Sequence, residues 1–137
     1  MTEWSSLIGK QATLVSTRKR DGSWVPTPVT AVNAGSVAYF LTPATSGKVK
    51  RIRNFPDVRV ASATFSGERT GPLHSAVARR LEGEELTRAL SIIRRAHPII
   101  FGVFLRISYG MRRIEAAVYE LSDLRPLDAD DGSASAT

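Results

Sequence analysis

The chain contains no cysteine. That excludes disulfides, thiolate metal sites and a cysteine nucleophile, and it suits a reducing compartment, so a cytoplasmic location is expected. Histidine is almost as scarce: His74 and His97 are the whole supply, with no second ligand at metal-binding spacing, and no metal site is expected. No G-x-S-x-G elbow is present for serine hydrolysis. Gly67–Gly71 and Ser46-Gly47-Lys48 hold fragments of phosphate-loop vocabulary, but neither completes G-x-x-x-x-G-K-[ST], which argues against a nucleotide hydrolase. Long hydrophobic runs are missing too. The longest, Pro98–Leu105, is far too short to span a bilayer, and residues 1–12 lack the basic-then-apolar order of a secretory leader.

What is there points to a globular domain. Hydrophobic residues make up 42% of the 137 and charged residues 23%, an ordinary balance for a folded protein. The net charge is +6, and the last ten residues, Asp128–Thr137, carry three Asp and no base. The body is therefore more basic than the total. We expect one domain over 1–127 and a disordered Asp/Gly/Ser/Ala/Thr tail over 128–137. A basic body attracts nucleic acid, anionic lipid or a polyanionic small molecule, and charge does not choose among them.

Residues 2–10 read as a short helix or an arm. Ala12–Thr17 is rich in β-branched residues and predicts a strand, followed by an Asp21-Gly22 turn. Trp24–Val32 predicts a second strand; Pro26 and Pro28 cannot donate to a ladder, which places its first half at an edge or beside a ligand. Ser36–Thr42, Asp57–Ala63 and Leu73–Leu81 predict further strands, and Arg112–Leu121 a last one. Between them, Gly83–Ala96 predicts a helix, with Leu86, Ala89, Leu90 and Ile93 on one face and Glu84 and Glu85 in its first turn. Ile99–Ile107 suggests a second helix, its apolar stripe read as core or dimer contact. Strands first, a helical insert, then a closing strand is not βαβ alternation; it indicates a small antiparallel β-barrel with attached helices.

The segment from Thr42 to Arg53 carries the functional signal. Thr42, Thr45 and Ser46 supply hydroxyls after a strand, and Gly47 lets backbone N–H groups approach a ligand. Lys48, Lys50, Arg51 and Arg53 then place positive charge in a short helix ended by Phe55-Pro56. A helix N-terminus is already positive, so bases there are unfavourable unless an anion compensates. The same run is also readable as a solvated basic surface.

In order, Val15–Gly22, Val25-Pro-Thr-Pro-Val29 and Tyr39–Arg59, with its T-P-x-x-S-G-K-x-K-R-I-R-x-x-P run, resemble the pyridoxamine-phosphate-oxidase-like superfamily, and within it the coenzyme F-420 (deazaflavin)-dependent oxidoreductases. The likeness extends from about residue 8 to residue 126. It implies a mainly β fold, an antiparallel split β-barrel of the FMN-binding type with flanking helices, and a homodimer with cofactor sites in grooves between the barrels. It further implies that Thr42, Ser46, Lys48 and Lys50, with Gly47 between them, hold the cofactor's phosphate. Thr17, Pro28, Val29 and Thr30 would lie along the ring system. A basic groove reaching Arg51 and Arg53 suits the phosphodiester and polyglutamate tail of F-420; FMN would need less. The reaction implied is hydride transfer from the reduced deazaflavin to an enone- or quinone-like small molecule, which asks for no nucleophile or base from the protein. No catalytic residue is assigned: Tyr109, Tyr119 and His74 are candidates for a proton donor, and His74 is equally a barrel or interface histidine. Trp24 reads as an edge or interface residue, and Arg79 and Arg80 as dimer contacts or solvated charges.

Three other functions compete: an FMN-binding oxidoreductase of the same fold, a non-catalytic carrier of deazaflavin, flavin or haem, and a nucleic-acid-binding module. The last ranks lowest, because the strands lack the interleaved aromatics that single-strand readers use.

Overall fold

The computed structural model describes residues 4–8, 12–99 and 116–127. The suggested helix over Ile99–Ile107 lies almost entirely outside these residues, as do the 128–137 tail, Tyr109 and the start of the last predicted strand.

The elements in chain order are α1 (Trp4–Leu7), β1 (Ala12–Arg18), β2 (Trp24–Val29), β3 (Ala31–Ala34), β4 (Val37–Pro43), α2 (Gly47–Asn54), β5 (Asp57–Ala63), β6 (His74–Arg80), α3 (Gly83–Ala96) and β7 (Ala116–Pro126). Seven strands form one sheet, β2-β1-β5-β6-β7-β4-β3, every pairing antiparallel.

The predicted strand Trp24–Val32 is two strands. β2 pairs with β1, placing Val29 opposite Thr13, whereas β3 pairs with β4, placing Ala31 opposite Phe40. These strands are the two outer edges of the sheet, yet only Thr30 separates them in sequence. The sheet must therefore curl until its edges meet at Thr30, a half-barrel with a seam. Pro26 and Pro28 sit in β2, an edge strand with β1 as its sole ladder partner, where a missing N–H is tolerated.

The other boundaries moved less. Asp21-Gly22 makes the β1–β2 turn with Gly22 at φ +90°, a conformation a glycine adopts without steric penalty. β7 runs past Leu121 to Pro126: its register against β6 shifts between Ser75 and Val77, and Asp123 adopts φ +54°. This irregularity absorbs one extra residue of β7 and lets pairing resume at Arg125 and Pro126.

Alternation along the strands builds two cores. Inside the curl lie Val15, Ala31, Ala38, Phe40, Val60, Ala76, Ala78, Ala117, Tyr119 and Leu121, with Val49 and Ile52 of α2 and Trp4 and Leu7 of α1 packed against them. The many alanines leave room for Phe40 and Tyr119, which stack at 5.3 Å. On the outer face Val32, Tyr39 and Val118 meet Ala89 and Ile93 of α3, with Leu86 and Leu90 alongside. The helical face predicted from periodicity is thus the face that packs. At the other end of α3, Arg79 bonds Glu85 at 2.7 Å and Glu120 at 3.3 Å.

Candidate functional site

A cleft of about 270 Å³ opens along the seam. Pro28, Val29 and Thr30 form one wall, and Thr42 and Lys48 lie across from them. Five of the residues singled out from sequence therefore meet in one place, although β2 and β4 are not neighbours in the sheet. Val32, Leu41, Pro43, Ile93 and His97 complete the lining and were not foreseen as site residues. Ile93 was recognisable only as a core position of α3, and His97 only as its end. Nothing in the spacing reveals that α3 runs over β3, β4 and β7 and delivers its C-terminus to the seam.

The first turn of α2 is built by the residues that looked like a phosphate loop. Ser46 is the N-cap: its backbone is extended and its Oγ accepts from the Lys48 N–H at 3.2 Å. Substitution of such a cap is typically worth about 1 kcal/mol of helix stability. Val49 and Ile52 point into the barrel, which anchors the helix and leaves Lys48 at the margin of core and cleft. Lys50 is exposed, outside the cleft lining.

Arg51 and Thr17 play a different part from the contacts foreseen for them. Arg51 Nε donates to Thr17 Oγ1 at 2.6 Å, and Thr17 has no accessible surface. The guanidinium is thereby held over the start of α2: a Cβ on Gly47 would lie 2.7 Å from Arg51 Nη1. A side chain at 47 would push the Arg51 guanidinium out of this position. Thr17 thus sits behind Arg51, positioning a positive group.

Three positive features converge on this turn: the helix N-terminus, the Arg51 guanidinium and Lys48, whose residue is only 9% exposed. Burial pushes the Lys48 ammonium below its ordinary range, and the nearby Arg51 charge pushes it the same way. The first turn of α2 contains no acid. Ion pairs between described residues include Arg79 with Glu85 and Glu120, and Arg125 with Asp123; none of these residues lines the cleft.

The proton-donor candidates sit elsewhere. Tyr119 is buried in the barrel against Phe40, and its hydroxyl is held above the ordinary range mainly by burial. His74 lies on β6, its Nδ1 3.1 Å from the Pro72 carbonyl oxygen, and is not in the cleft lining. Trp24 lies on the edge strand with the Arg59 guanidinium 4.5 Å from its ring centre, consistent with an edge residue. Arg79 is neither dispersed nor solitary but bound by two carboxylates of its own chain.

No protein-family model and no curated protein matches the sequence. Solved structures match the fold. An F420-H2 dependent reductase aligns with a TM-score of 0.59 and 18% identity over 85% of this chain and 97% of that one. HutZ, the haem storage protein of Vibrio cholerae, aligns at 0.60 and 11% over 88% and 84%. A pyridoxamine 5'-phosphate oxidase-like protein of Listeria innocua aligns at 0.50 and 15% over 87% and 90%. The fold is a split β-barrel. In split-barrel terms the cleft lies where the two sheet edges approach, and α2 and α3 bound it from opposite sides of the seam. No helix among the described residues is long and apolar enough to cross a membrane.

Proposed function

We propose that the seam cleft binds the phosphate end of a flavin-type redox cofactor, F-420 in the first instance, and that the protein is an oxidoreductase. The observation that carries this reading is Lys48: a lysine only 9% exposed beside a second cation and a helix N-terminus, with no carboxylate among the described residues to balance it. Buried charges in folded proteins are paired or wait for a partner, and a helix N-terminus with bases around it is suited to phosphate. The residues present fit such a group. Lys48, the Thr42 hydroxyl and the Gly47 N–H at the start of α2 would hold the phosphate, with Arg51 adding charge from behind; Pro28, Val29 and Thr30 with Leu41 offer a largely apolar wall to a ring system.

The size of the cleft bears on assembly. At about 270 Å³ it falls just below the ~300–1,000 Å³ typical of small-molecule sites, so one protomer would enclose part of a cofactor. That supports a homodimer in which a second barrel covers the remainder. Lys50 and Arg53, exposed on α2, favour a long anionic tail and hence F-420 over FMN. When bound, the deazaflavin would supply the hydride chemistry; the protein's part is to orient it and exclude water, and the described lining residues include no carboxylate. The same lining is compatible with a non-catalytic carrier, which is the second reading.

Titration of the purified protein with F-420 and with FMN, repeated on Lys48→Ala, tests the assignment. Binding of F-420 that is lost in the variant supports it. Unchanged affinity in Lys48→Ala would overturn the anion site, and tight FMN binding without response to F-420 would replace the cofactor. Turnover of enones and quinones with reduced cofactor separates a reductase from a carrier.

A further inference from the structure

One polar group in the cleft has no part in that reading. His97 is the C-cap of α3, and its backbone N–H donates to the Ile93 carbonyl at 2.9 Å. Ile93, one turn earlier, is buried against Val32 and Val118, which fixes the helix end against the sheet. Both Ile93 and His97 line the cleft. His97 therefore borders from α3 the same small space that Lys48 borders from α2.

The polar side chains of this lining are Thr30, Thr42, Lys48 and His97, each able to donate a hydrogen bond. No acid is among the described lining residues. Every one of these side chains can donate and Lys48 can only donate, so acceptor atoms and negative charge are favoured in whatever occupies the space. The end of a helix is also where a cation is favourable, because the last carbonyls carry the negative end of the dipole.

We propose that His97 is a second cationic contact to the bound ligand, its imidazolium donating to an anionic or carbonyl oxygen across the cleft from Lys48. This rests on the cleft being the cofactor site. The charged and titratable groups of the packed elements are few. Lys48 shares the cleft. Arg94 and Arg95 are exposed on α3 itself, and Tyr39 is buried on the outer face of β4 against α3. Glu120 of β7 is engaged by Arg79 near Glu85, at the opposite end of α3. Among the described residues none supplies a carboxylate to His97, so among these a ligand anion would be its first. The contact makes ligand affinity depend on pH through the imidazole: protonation and binding favour each other reciprocally.

The chain has two histidines, which makes the test direct. The imidazole carbon-bound protons are followed by NMR against pH, without ligand and with saturating F-420, FMN being run in parallel. Signals are assigned with His97→Gln and, independently, His74→Gln. On binding, the His97 midpoint is expected to move to higher pH by about half a unit or more, which corresponds to about threefold tighter binding of the protonated form, while His74 stays in place. A His97 midpoint that stays put or falls while the ligand binds overturns this inference and leaves the Lys48 site standing. Failure of both ligands to bind the wild-type protein overturns the cofactor site and this contact together.

Discussion

The two ends of α3 hold opposite solutions to the same problem. At its start, Arg79 is exposed and shared between Glu85 and Glu120, and the partners tune one another: the guanidinium is held above its ordinary range and the Glu85 carboxyl below its own. At its finish, across the seam, Lys48 is buried beside Arg51 with no acid in reach among the described residues. The first cluster is complete as the chain folds. The second has no acidic partner among the described residues, and in the proposed reading an anionic ligand supplies it. A matched, solvated pair contributes little to stability; an unmatched buried cation destabilises the free protein and is relieved by a ligand.

The largest expected effect breaks the second cluster. Lys48→Met keeps the packed stem and removes the charge. Affinity for F-420 should fall by about 100-fold, the order expected when a buried charged contact is lost, while the ligand-free protein melts no lower than wild type. Calorimetric titration and thermal unfolding check the two halves. A variant that melts much lower with binding intact would show that Lys48 serves the fold alone.

Next comes pH. The Lys48 ammonium is held below its ordinary range, so it loses its proton earlier in the alkaline range than a solvated lysine. The folded state then binds fewer protons than the unfolded one, and Lys48's contribution to stability rises as pH increases through that window. Ligand binding should change in the opposite sense, weakening by about tenfold once the ammonium is neutral. Thr17→Val, nearly the same shape without the hydroxyl, releases Arg51 from its 2.6 Å bond; affinity should fall by about fivefold, in line with one charged hydrogen bond partly replaced by water. The smallest effect belongs to the matched cluster. Glu85→Gln should leave cofactor affinity within about twofold of wild type, because surface pairs act locally and are screened.

Much of the fold was legible because its signals are local. The α3 face was visible in the spacing of Leu86, Ala89, Leu90 and Ile93, and the edge position of β2 in Pro26 and Pro28. The α2 segment stood out as a charge pattern at odds with its own helix dipole. The division of Trp24–Val32 was not legible. Both halves are extended and β-compatible, and what separates them is a change of partner from β1 to β4 at Thr30, which no residue type encodes. His97 was passed over for a similar reason. A histidine before Pro98 looks like any helix terminus until Ile93 is docked on β3 and β7.

Sequence by itself determined the local terms: which segments extend, where glycine must sit at Gly22, that Ser46 can cap a helix, and that Lys48, Lys50, Arg51 and Arg53 crowd one short stretch. Those depend on backbone sterics and on neighbours a few residues away. Tertiary structure decided the pairing order, and with it the seam at Thr30. It turned Lys48 toward a cleft and left Lys50 outside, set Thr17 to hold Arg51, and brought His97 to the opposite side. Burial and the distance between charges far apart in the chain exist only once the sheet has curled, and here those two quantities set Lys48 apart from the exposed Lys50 and Arg53 beside it.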